Sequence, residues 1–120
     1  MSLMALAVAA ACDRAIDCTL IGCESGLTVV IDNAPPGPFT VQGTAAGAAG
    51  VVRTGGCPDT SGCTGTVFLP AFTPGRAQLT VTTSAGTRQH EVTPAYATTR
   101  PNGPRCGPTC RNATVRVAWQ

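Results

Sequence analysis

The chain has 120 residues, enough for one domain with a single modest core. Only 12% of its residues are charged and 4% aromatic, and its formal net charge is +2. The basic residues (Arg14, Arg53, Arg76, Arg88, Arg100, Arg105, Arg111, Arg116) are scattered, Arg100, Arg105 and Arg111 coming nearest to a cluster. Without the basic patch and stacking aromatics typical of a nucleic-acid binder, no nucleic-acid partner is expected. All of them are arginine, a usage associated, with so much Ala, Gly and Pro, with GC-rich bacterial genomes. The Thr, Val, Gly and Pro content favours strands and turns over helices.

In chain order, MSLMALAVAAA comes first, apolar but far too short to span a bilayer. It reads as the hydrophobic region of an export signal lacking its usual positive start. Ala9, Ala10 and Ala11 run directly into Cys12, and this junction resembles the lipobox of bacterial lipoproteins. The resemblance implies lipidation at Cys12, against ordinary cleavage after Ala11 or burial of the stretch as a helix. Setting Cys12 aside leaves Cys18, Cys23, Cys57, Cys63, Cys106 and Cys110, an even set suited to three disulfides in an exported domain. The expected organisation is a leader over 1–12, a cysteine-bearing linker over 13–25 and one β-sandwich domain over 26–120.

Strands follow from period-two alternation. Leu27, Val29 and Ile31 alternate with Thr28, Val30 and Asp32, and Asn33-Ala34-Pro35-Pro36-Gly37 ends that ladder. Phe39 and Val41 form a second strand against Thr40 and Gln42. The stretch 43–50 is soft and Ala/Gly-rich, with a short strand over 51–54. GGCPDTSGCTG (55–65) reads as a surface loop closed by Cys57 and Cys63. A short strand over 66–69 stops before Pro70. Ala77, Leu79 and Val81 point inward from the next strand. A turn at Ser84-Ala85-Gly86 leads into a return over 87–96, with Val92 and Tyr96 inward and Pro94 marking an edge or bulge. Last, Ala113, Val115, Val117 and Trp119 share one face of a tail strand. About seven short strands predict an all-β sandwich.

The run PPGPFTV (35–41) resembles the Pro-Gly-aromatic-Thr-Val element of prealbumin-like and carboxypeptidase-regulatory-like sandwiches, and PNGPRCGPTCRNATVRV resembles the ends of small exported bacterial proteins. These resemblances imply an immunoglobulin-like or prealbumin-like sandwich and carry over no catalytic residue.

Bond-breaking chemistry has little to stand on. His90 is the only histidine, and it and Glu91 would face opposite sides of a strand. There is no nucleophile elbow and no carboxylate pair singled out by spacing. Zinc would need paired thiolates, and an oxidising compartment favours disulfides instead. No catalytic residue, metal or cofactor is therefore expected. Two pairings are open. One is sequential (18–23, 57–63, 106–110). The other keeps 57–63 and ties Cys18 and Cys23 to Cys106 and Cys110, as parallel first and last strands would allow. Asn112-Ala113-Thr114 matches a glycosylation pattern by coincidence.

The expected role is a non-catalytic binding or structural module, exported to the bacterial envelope and touching the membrane only through a lipid on Cys12. Its partner would be a protein or an envelope component, met by the loop carrying Arg100, Asn102, Arg105 and Arg111. The alternative is a secreted hydrolase inhibitor using a braced loop such as Cys57–Cys63, and a small enzyme comes third.

Overall fold

The computed structural model describes residues 18–47, 52–57 and 65–119. The leader, Cys12 and its lipidation, and Cys63 lie outside the described residues. Among the described residues eight strands form: β1 (Gly26–Asp32), β2 (Phe39–Ala45), β3 (Val52–Cys57), β4 (Thr66–Pro70), β5 (Ala77–Thr83), β6 (Gly86–Val92), β7 (Ala97–Thr99) and β8 (Cys110–Ala118). They build two four-stranded sheets, ordered β4-β1-β8-β7 and β3-β2-β5-β6. The result is an all-β, two-sheet, disulfide-tied protein.

The alternation sets what lies between the sheets. Leu27, Val29 and Ile31 of β1, Phe39 and Val41 of β2, Val67 and Leu69 of β4, and Leu79 and Val81 of β5 are all buried. Each large side chain removed from water stabilises the fold by about 1.5–3 kcal/mol before entropy is counted. Trp119 closes one side of this core at 4% exposure. The Arg88 guanidinium lies 4.9 Å from the centre of its ring, so a cation on an edge strand shields the tryptophan from water. β1 and β8 run side by side and parallel, from Gly26↔Asn112 to Asp32↔Ala118. That pairing brings Cys18 and Cys23, ahead of β1, beside Cys106, ahead of β8, and Cys110 at its start.

Three expectations need correction. β2 does not stop at Gln42 but runs on through Gly43 to Ala45, because Gly43 faces inward and accepts the Phe72 ring where a side chain would stand. The run Gly55-Gly56-Cys57 is strand rather than loop, pairing with Val41, Thr40 and Phe39 of β2. A Cβ on Gly55 would sit 2.8 Å from Val67, so the glycine lets β3 lie close over β4. The return over 87–96 is not one strand. β6 ends at Val92, and the chain crosses to the other sheet before β7 begins at Ala97.

Pro94 and Tyr96 hold that crossing. Pro94 is buried, and the Tyr96 hydroxyl donates to the Pro74 carbonyl at 2.6 Å. The Arg111 guanidinium lies 4.7 Å from the centre of the Tyr96 ring. Burial raises the phenol's pKa above its ordinary 10.0, and the Arg111 charge partly opposes this. A folded pKa above the unfolded one means the folded state holds the proton more tightly. The stability it confers is full below pH about 10 and is lost as the pH climbs through the raised value. Denaturation midpoints of wild type should therefore fall above pH 10, and those of Tyr96→Phe should fall less. Equal alkaline losses in both would show that another group controls them.

Candidate functional site

The tail loop and the segment ahead of β1 form one unit. Residues 18–25 run without helix, turn or bend. Two disulfides fix them to the tail: Cys18–Cys106, with Cα atoms 5.7 Å apart, and Cys23–Cys110, at 6.2 Å. Both separations fit ordinary disulfide geometry. The pairing is therefore the tie between front and tail rather than the sequential one. Ser25 continues the attachment. Its Oγ accepts from the Arg111 amide at 3.0 Å, and its carbonyl accepts from the Ala71 amide at 2.8 Å.

Asn102 is the centre of the brace. Its Oδ1 accepts from the Thr19 hydroxyl at 2.5 Å and from the Ile21 amide at 2.9 Å. Its Nδ2 donates to the Ile21 carbonyl at 2.8 Å and to the Gly107 carbonyl at 2.9 Å. One amide side chain thus holds the residues on both sides of Leu20 and ties them to the tail loop. Local turn bonds from the Gly103 amide to the Arg100 carbonyl and from the Cys106 amide to the Gly103 carbonyl shape the loop that carries it. Positive φ at Gly103 (92°) suits glycine in that turn.

Between the two bridges Leu20 is left bare. It is 96% exposed and Ile21 is 54% exposed, whereas the next large apolar side chain in order of exposure, Phe68, reaches 37%. A single exposed leucine is ordinary; one held on both sides by covalent bridges and hydrogen bonds is preorganised for contact.

The residues expected to form the binding surface fall on this same unit in different roles. Asn102 faces the 18–23 segment and supports the surface from beneath. Arg111 covers Tyr96. Arg100 and Arg105 are exposed. Sequence reasoning passed over Leu20 and Ile21. The available signal was two adjacent large apolar residues between cysteines, in a linker with no strand or helix period to bury them.

Elsewhere the chemistry is sparse. Cys18, Cys23, Cys106, Cys110 and Cys57 are disulfide-bonded, so none offers a thiolate. His90 is half-buried beside Leu79, with Nε2 lacking a hydrogen-bond partner among the described residues. One surface recess is lined by Arg76 and Glu91, which pair with each other at 3.5 Å. Among the described residues no three His, Cys, Asp or Glu side chains gather as a metal site.

The class these features define is a two-sheet all-β protein stapled by disulfides, and such bonds point to an oxidising, extracytoplasmic setting. Comparisons with family models, curated proteins and solved structures found no match.

Proposed function

We propose that this is a non-catalytic, exported bacterial protein-binding module that presents the braced segment 18–23 to a partner. The observation that carries the reading is Leu20, 96% exposed between two disulfides and flanked by residues that Asn102 holds. Binding energy concentrates in a few large side chains, and a rigid mount reduces the entropy lost when they dock. The run AAAC at 9–12 supports attachment to the envelope through lipid on Cys12, which also accounts for the seventh cysteine. Of the two sandwich resemblances, the strand order favours the prealbumin-like one. Immunoglobulin domains place their first, second, fourth and fifth strands in one sheet. Here β1 lies with β4 and β8, while β2 lies with β5 in the other sheet.

Site-specific photo-crosslinking tests the surface. A photoreactive residue at position 20 should give an adduct with a protein of the envelope or culture fluid. Excess wild type should compete for that adduct and Leu20→Asp should not. The same probe at Gln89, exposed on β6, should give none. Failure to crosslink from position 20, or identical adducts from position 89, would contradict the reading.

A further inference from the structure

We propose that the partner is a serine endopeptidase with an apolar primary pocket, and that the segment 18–23 inhibits it by lying in its cleft with Leu20 in that pocket. This deepens, and rests on, the binding-module reading.

Four observations lead there. An endopeptidase takes its substrate as an extended strand with one side chain in a deep pocket, and residues 18–25 are free of helix, turn and bend. The side chain offered to the pocket must be uncovered, and Leu20 is the barest large apolar residue described. Its neighbours must be fixed. Thr19 and Ile21 are held by Asn102, and the two bridges secure Cys18 and Cys23 just beyond them. The residue type then sets the enzyme class, since a leucine fits an apolar slot and would leave the buried aspartate of a trypsin-like pocket unpaired.

The bracing also explains why such a segment would inhibit rather than be consumed. The peptidase serine hydroxyl attacks the Leu20 carbonyl, the Leu20–Ile21 bond breaks, and the hydroxyl proton passes through the peptidase histidine to the Ile21 nitrogen. In a flexible substrate the new amine diffuses away and water takes its place. Here the Ile21 amine is retained by Asn102 and by Cys23–Cys110, while the Leu20 acyl group is retained through Cys18–Cys106. The amine stays against the ester, attacks it, re-forms the peptide bond and returns the proton to the serine oxygen. Intramolecular amines held this way have very high effective concentrations, so the intact inhibitor persists.

The test uses the oxidised full-length protein against chymotrypsin, subtilisin and trypsin with chromogenic peptide substrates. The expected result is inhibition of chymotrypsin and subtilisin and none of trypsin. Leu20→Gly should weaken inhibition by about 100-fold or more, the range seen for a central hot-spot residue. Leu20→Lys should transfer inhibition to trypsin. Asn102→Ala should speed cleavage at Leu20–Ile21 while circular dichroism stays that of a folded sheet protein. Absence of inhibition of all three enzymes by folded protein overturns the proposal, as does inhibition unaffected by Leu20→Gly. A crosslink from position 20 to a protein other than a peptidase, or to a second copy of this chain, without inhibition also overturns it; the adduct with another protein leaves the binding-module reading standing.

Discussion

Replacing Cys18, Cys23, Cys106 and Cys110 together by Ala is expected to destabilise the domain by more than the losses from removing each bridge alone add up to. The two bridges span sequence separations of 88 and 87 residues. Closing the first such loop restricts the unfolded chain by about 4–5 kcal/mol in the loop-entropy model. With one bridge in place, the other closes only the small ring formed by residues 18–23 and 106–110, which contributes about 2–3 kcal/mol. Either pair of alanines should therefore cost about 2–3 kcal/mol, and all four about 7 kcal/mol. A domain of this size has roughly 5–15 kcal/mol in total. Denaturant titration of the three variants reads these losses as shifts in midpoint. The mark of the arrangement is that the fourfold loss exceeds the sum of the two pair losses. Simple additivity would mean that the bridges close independent loops.

The second large effect lies in the core, where Phe72 meets Gly43. Ser25 accepts the Ala71 amide, and Ala71 takes φ 55°, so the chain leaving β4 turns Phe72 inward over β2. Phe72 is fully buried, and a Cβ on Gly43 would lie 2.7 Å from its Cε2 and 3.0 Å from the Leu69 Cδ1. Phe72→Ala is expected to cost about 3–5 kcal/mol as a cavity. Gly43→Ala is expected to cost about 1–3 kcal/mol as overpacking, since a buried ring has little room to yield. The two should be strongly coupled: with Phe72 already cut back, the methyl at position 43 has space, and the double variant should be more stable than the summed losses by about 1 kcal/mol or more. Equilibrium unfolding of the four-member cycle measures that difference. A cycle that closes additively would place the ring away from Gly43.

Much of this fold was legible because burial in a sandwich follows side-chain alternation. Leu27, Val29, Ile31, Ala77, Leu79 and Val81 face inward as their spacing required, and the parallel neighbours β1 and β8 bring the cysteines together as one of the two pairings proposed. What was hidden depends on partners distant in sequence. Gly43 and Gly55 look like loop residues until Phe72 and Val67 are seen where their side chains would be. The crossing between β6 and β7 has no signal beyond Pro94, because Tyr96 keeps the alternation of the strand while its hydroxyl is fixed by Pro74.

The site was legible only in outline. The tie between the loop 100–111 and the front of the domain is one of the two pairings the cysteines allow, but the loop's polar residues give no sign of the apolar segment fixed to it. Asn102 matters through Thr19 and Ile21, some eighty residues earlier, and no local pattern announces such a contact. Leu20 becomes conspicuous only when both flanks are known to be fixed.

The attachment of segment 18–23 to the tail underlies the whole site, and an unreduced tryptic digest examines it directly. Cleavage at arginine places Cys18 and Cys23 in the peptide 15–53, and Cys106 and Cys110 in the peptide 106–111. The expected result is a single species joining these two peptides through two disulfides, separating into both on reduction. Recovery of 106–111 alone with its own internal bridge, and of 15–53 with its own, would contradict the stapled apex and the function built on it.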